Sequence, residues 1–480
     1  MSARPLSRSA LPRPVPLRPA LLRPAALAQW RLAAYALAFL AALAMSATQA
    51  AAQSVLRDAE TEALLADMSR PLIEASELEP ENVEIVLIND PSINAFVAGG
   101  QVVYIHTGLL SVADTANEVQ GVIAHELGHI TAGHVVRFEE RVRAANGITI
   151  LSLLLGVGAA LAGAGEAAMG AMMAGQQAAL GSFLAFNRNQ EASTDLAGAR
   201  YLSGAGISGR GMISFFEKLR NQEIRRGYSQ SDEAAYGRTH PLSGDRIQTL
   251  RGLLNKDAAW DAPDDPELQA RFERVQAKLY GYLAEPERTL NAYPESDTSV
   301  PARYARAYAW HKDAQVERAL AETEALMALE PRNPYFLELK GQVLLESGRP
   351  RDALEPLRRA TELTLNQPLI ASMFGHALIA TEDESNYPEA EQVLRAAVAR
   401  DRLNPFAWYQ LGMVYAARGD IPRARLASAE QQVMARRYPE ALRSARAAEA
   451  GLPRGTPDWI RAQDIALQAR AELERLRDSR

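Results

Sequence analysis

The sequence predicts an α+β chain, mainly helical: a small sheet with a helical body, followed by an all-α repeat superhelix. Three observations carry this reading. Val83–Ile88 and Gln101–His106 are β-branched runs separated by turn residues, the pattern of short strands. Around residues 119–134 and 187–202 the residues suit helices that carry clustered His and acidic side chains. From residue 300 onward the chain is rich in Ala and Leu, and small residues recur at Ala307, Gly341, Gly375 and Gly412, spaced by 34, 34 and 37.

The N-terminal 52 residues are expected to lie outside the fold. Residues 1–31 hold six Arg and no acid, Leu32–Met45 is apolar, and Ala50-Ala51-Ala52 fits a small-residue cleavage site. That order of regions is the order of a secretory signal peptide, with an uncleaved anchor helix as the alternative. The apolar run is short for a membrane span. Without residues 1–52 the chain keeps 46 basic and 58 acidic residues, a formal charge of −12. Such a balance argues against nucleic-acid binding. The chain has no Cys, which excludes disulfides and thiolate chemistry.

His125-Glu126-Leu127-Gly128-His129 is the motif that carries chemistry. On a helix, His125 and His129 lie one turn apart on one face, so both imidazoles can reach one zinc ion. Glu126 sits one step round, placed to take a proton from the attacking water. Catalytic zinc takes three protein ligands and keeps an open position. Glu191 is the candidate third ligand. Asp195, one turn further on, is placed to accept the free N–H of a ligand His and fix its tautomer. His134 falls off the ligand face and is expected to hydrogen-bond within the fold. His240 precedes Pro241, which presents it on a loop before a helix starting near Ser243. Tyr201 and Arg200 are further candidates to steady an oxyanion.

H-E-L-G-H-I-T-A-G-H, then E-A-S-T-D about 60 residues later, then Thr239-His240-Pro241, resembles the HtpX-type gluzincin metallopeptidases. Asn94-Ala95-Phe96, Gly99-Gly100 and Thr107-Gly108-Leu109 match the same family upstream. The resemblance covers roughly residues 53–250. It implies a zincin-type metallopeptidase domain with one Zn2+ on His125, His129 and Glu191. It implies that His240 reaches the active site, either steadying the oxyanion or latching the open zinc position. In this class an edge strand binds extended peptide, and Asn94–Ala98 is the candidate for a loop or strand near that edge.

Two uncharged runs, 144–165 and 167–187, follow the motif helix. A single span there would put the ligands on opposite sides of a bilayer. Residues 148–186 are therefore expected as two helices near the cleft or touching a membrane surface, or as a membrane hairpin. The expected organisation is a signal peptide (1–52), a peptidase domain (53–285), a polar Pro-bearing linker (286–300) and tetratricopeptide repeats (301–480), with a three-residue insertion near Asp383. A leader, a gluzincin domain and such repeats together resemble periplasmic gluzincins of Gram-negative bacteria. That implies a zinc endopeptidase degrading misfolded or unassembled outer-membrane proteins, with the β-barrel assembly machinery as partner of the repeats. The alternative is a chaperone or assembly adaptor working through its repeats with a latched protease site.

Overall fold

The computed structural model describes residues 54–134, 188–226, 240 and 243–478. The expected signal peptide, the uncharged stretch 148–186, Thr239 and Pro241 lie outside these residues. Residues 54–480 group as one compact unit.

Among the described residues the sheet has four strands: β1 (Ser54–Val55), β2 (Glu84–Asn89), β3 (Ala95–Ala98) and β4 (Val102–His106), in the order β1-β2-β4-β3. β4 runs parallel to β2, with Glu84 opposite Val102 and Ile88 opposite His106. β3 returns antiparallel along β4, with Ala95 opposite Ile105. Gly99 and Gly100 make that return possible, because both have positive φ, a conformation that costs glycine little. Val103 and Ile105 point into the core from one face of β4, while Tyr104 stacks on Phe96 of β3 on the other. Among the described residues β3 is thus an edge strand, so Asn94–Ala98, expected as a loop or strand near the edge, is the strand, and it packs beside the motif helix.

Helices α1 (Ala59–Ala75), short α2 (Thr107–Val112) and α3 (Ala116–Thr131) pack on the sheet, and α4 (residues 188–204), α5 (Arg210–Arg226) and α6 (Gly244–Leu254) follow in the chain. α3 carries the motif. Thr115 caps it by accepting from Glu118 N, and Glu118 reaches back to accept from Asp114 N. The helix is buried from Ala116 to His129, so it shows no polar face. On α4, Glu191, Thr194, Asp195 and Gly198 are buried at helical spacing and face α3.

α7 (Pro266–Leu283) and α8 (Pro286–Ala292) lead into five helix pairs. The pairs are α9 (Val300–Lys312) with α10 (Val316–Leu329), α11 (Pro334–Glu346) with α12 (Pro350–Leu363), and α13 (Pro368–Ala380) with α14 (Tyr387–Arg400). α15 (Pro405–Ala417) with α16 (Ile421–Met434), and α17 (Tyr438–Gly451) with α18 (Pro457–Asp478), complete the array. The first helices of successive pairs start 34, 34, 37 and 33 residues apart. The irregularity is the loop 381–386, six residues long where 347–349 and 418–420 have three. Proline at the first helical position and Asn333, Gln367 or Asn404 as cap fix three of these starts. Gly341 and Gly375 allow the close crossings, since a Cβ there would stand 2.3 Å from Leu357 and 2.5 Å from Leu394.

The segment 286–300, expected as a linker, begins with α8 and is tied down. Buried Arg306 of α9 donates to the carbonyls of Pro294 at 2.8 Å and Asp297 at 2.7 Å. The repeats also grip the start of α1. Ala59 packs with Leu337, Ala360 and Ile370, and Arg57 pairs with Asp401 at 3.0 Å. Buried Glu60 accepts from Arg274 of α7 at 2.6 Å and from the Tyr304 hydroxyl of α9 at 2.8 Å. The peptidase and repeat parts are thus joined by a buried polar network as well as by chain. Among the described residues, no helix is long and apolar enough to cross a membrane.

Candidate metal centre

The site forms where α3 and α4 cross. A Cβ on Gly128 would stand 2.9 Å from Thr194, and one on Gly198 would stand 3.1 Å from the backbone of Ala124 and His125. Two glycines therefore let the helices approach closely. The approach brings Glu191 and Asp195 against the motif.

His125 Nε2 lies 3.3 Å from His129 Nε2 and 3.4 Å from Glu191 Oε2, and His129 Nε2 lies 3.5 Å from Glu191 Oε1. His240 enters the same space. Its Nδ1 is 3.3 Å from His125 Nε2 and 3.2 Å from both Glu191 oxygens. Donor atoms of His125, His129, Glu191 and His240 all lie within 4.8 Å of one another, and all four residues are buried. Four buried donor groups this close can hold a cation at their centre. Three imidazoles and a carboxylate are a donor set that suits zinc.

Glu126 stands beside this cluster, fully buried. Neither carboxylate oxygen has a hydrogen-bond partner among the described residues, and the nearest cationic candidate, His240 Nε2, is 3.6 Å away. Burial pushes the Glu126 carboxyl above its ordinary range. A buried carboxylate left with free lone pairs beside a metal site is poised to accept a proton.

The surroundings fix the ligands. His125 Nδ1 is 3.0 Å from Asp195 Oδ1, the relation expected for tautomer control. Burial works against charge on His125, but the Asp195 and Glu191 carboxylates outweigh it and push its pKa up to about 9. Burial raises Glu191, and the neighbouring His240 and His125 outweigh that, holding it far below the usual carboxylate range. His129 is held well below its ordinary value, first by burial and then by repulsion from His125. His134 bonds within the fold as expected, with its Nδ1 3.0 Å from His129 Nδ1 and 3.3 Å from Thr194 Oγ1. Phe216 of α5 packs edge-on against the His125 ring at 5.6 Å.

Of the residues singled out by the sequence reading, His125, Glu126, His129, Glu191, Asp195 and His240 meet here. Tyr201 and Arg200 do not join them. The Tyr201 hydroxyl is committed to Thr131 Oγ1 at 2.7 Å, at the C-terminal end of α3, and Arg200 is exposed on α4. Arg246 was missed. Its guanidinium donates to both oxygens of Asp195 at 2.8 Å and lies 3.2 Å from Glu191 Oε2. A faint signal existed: a cation in the first turn of a helix opposes the helix dipole and calls for an acidic partner.

Residues 56–254 match Peptidase family M48. The chain is 26% identical over 375 residues to the "Beta-barrel assembly-enhancing protease" of Escherichia coli (strain K12), covering 74% of this chain and 72% of that protein. It is 31% identical over 182 residues to "Metalloprotease LoiP" of the same organism, covering 37% of this chain and 65% of that one. Among solved structures it is similar to YrrB, a TPR protein, at 22% identity, 38% coverage of this chain, 94% of that chain and a TM-score of 0.30. The protein is a zinc metalloprotease whose residues 56–254 match the peptidase family M48.

Proposed function

We propose that the protein is a periplasmic zinc endopeptidase that degrades misfolded or stalled outer-membrane β-barrel proteins. The observation that carries the chemical part is the convergence of His125, His129, Glu191 and His240 beside the Glu126 carboxylate, which has no hydrogen-bond partner among the described residues. The client class is supported by the relative named a β-barrel assembly-enhancing protease, with which the chain shares most of its length. In this reading residues 53–285 carry the chemistry. Residues 301–480 dock clients and the β-barrel assembly machinery. A peripheral membrane contact through 148–186 belongs to the same proposal.

His125, His129 and Glu191 hold the zinc, which when bound acidifies the attacking water and polarises the scissile carbonyl. Glu126 takes the proton from that water and delivers it to the leaving amine. Asp195 keeps the His125 ring in the tautomer whose Nε2 lone pair faces the site. β3, at the edge of the sheet among the described residues, offers main-chain groups to an extended peptide, which fixes the scissile bond beside Glu126.

His240 restrains the site in this proposal. Its Nδ1 stands among the donor atoms, where it competes for the position that substrate needs. This placement also favours a second reading, an assembly adaptor that works through its repeats while the protease is latched. Comparing wild type with Glu126→Gln on a misfolded outer-membrane protein separates the two. Degradation by wild type alone supports the peptidase reading. Equal assistance to assembly by both, with no degradation by either, supports the adaptor.

A further inference from the structure

We propose that Arg246 is a positioning residue for the metal centre, holding Glu191 and Asp195 in ligating geometry and tying them to the segment that bears His240. The proposal rests on the zinc reading of the site.

Arg246 lies on the first turn of α6, six residues after His240. Its Nε and Nη2 form a two-pronged grip on Asp195, each at 2.8 Å, and its Nη1 reaches Glu191 Oε2 at 3.2 Å. One guanidinium therefore fixes two carboxylates that belong to successive turns of α4. Asp195 in turn orients His125, so Arg246 acts on two of the metal-facing groups, one directly and one through Asp195. The side chain is only 9% exposed, and the Phe216 ring lies 5.9 Å from its guanidinium carbon. Burying a guanidinium costs several kcal/mol unless its hydrogen bonds are all strong ones, and here the acceptors are charged.

Charge points the same way. Glu126, Glu191 and Asp195 bring three carboxylates into one buried space, all on α3 and α4. Among the described residues, Arg246 is the permanent cation that touches two of them. Left without it, Glu191 and Asp195 would repel one another across one helical turn, and each would turn toward whatever donor remained. The planar fork matters as well as the charge, because an ammonium can satisfy one carboxylate or the other but cannot grip both in fixed planes. A cation at this position opposes the α6 dipole, a cost that its contacts with Asp195 and Glu191 offset. Arg246 and His240 also share one short segment, so a shift of α6 would move the restraint and the ligand clamp together.

The test uses the full chain with Arg246→Ala and Arg246→Lys. Zinc affinity is read by competition with a chromogenic chelator, and folding by thermal unfolding of the metal-free proteins. Loss of an orienting partner typically weakens metal binding about 10–100-fold, and this is the expectation for Arg246→Ala. Arg246→Lys should fall between that variant and wild type. Turnover should drop through kcat with KM little changed, since Arg246 does not face substrate. Zinc affinity of Arg246→Ala within about threefold of wild type would overturn the proposal. If Arg246→Ala does not fold, Arg246→Lys decides: weaker zinc binding supports the role, and wild-type binding makes Arg246 a clamp of the fold only. Wild type is measured alongside. Absence of zinc from wild type would overturn the metal assignment itself, whereas normal wild-type binding with unaffected variants removes Arg246 alone.

Discussion

Gly198 of α4 lies against the backbone of His125, so closely that a Cβ would stand 3.1 Å from the His125 nitrogen. The metal-site geometry depends on this contact, because it sets how far Glu191 and Asp195 are from the motif helix. Gly198→Val should push α4 outward. Overpacking of this kind costs roughly 1–3 kcal/mol. The stability loss should appear in urea unfolding, together with weaker zinc retention. Unchanged zinc content in a stable variant would show that the crossing tolerates a side chain.

Glu126 and Glu191 should separate chemistry from metal binding. Glu126→Gln keeps shape and removes basicity, so the variant should fold, hold one zinc and lose activity by about 10²–10⁴-fold. Glu191→Ala should lose the metal itself. Metal analysis beside peptidase assays on casein distinguishes the two, and full zinc occupancy in Glu191→Ala would remove Glu191 from the ligand set.

His240 sits 3.2 Å from Glu191 and 3.3 Å from His125. As a restraint, it predicts that His240→Ala raises basal proteolysis or self-cleavage. As a group that steadies the oxyanion, it predicts lower kcat at unchanged zinc affinity. Time courses of the purified variant on casein, and of its own degradation, read both outcomes.

The junction between the peptidase part and the repeats should respond to pH. Asp58, Glu60 and Glu338 share a buried neighbourhood with two cations, Lys278 and Arg274. Burial pushes Glu338 up to about 8, and its Oε2 has no hydrogen-bond partner among the described residues. Folded Glu338 therefore keeps a proton that the unfolded chain releases from about pH 4.5 upward. Stability should be fully present below that pH and fall as pH rises toward about 8, by on the order of 1–5 kcal/mol. Glu338→Gln should flatten this slope. Urea titrations between pH 5 and 9 measure it, and parallel slopes for variant and wild type would place the proton elsewhere.

Local periodicity made much of the protein legible from its sequence. One helical turn separates His125 from His129 and Glu191 from Asp195, so each pair shares a face wherever its helix goes. Gly341, Gly375 and Gly412 mark helix crossings between neighbours, which is why the repeat period could be read directly. Even the loop at 381–386 showed as a break in that period. Relations between distant segments could not be read this way. That Arg246 closes on Asp195, that His134 meets His129, that Tyr201 turns to Thr131, and that Glu60 is buried against Arg274 and Tyr304 all depend on how helices cross. Nothing in the spacing of these residues encodes their meeting. The sequence by itself determined which side chains could do the chemistry and that the second half is a repeat array. Tertiary structure alone decided where the guanidinium stands, how closely α4 approaches α3 and how the repeats grip α1, because close packing between elements far apart in the chain selects those contacts.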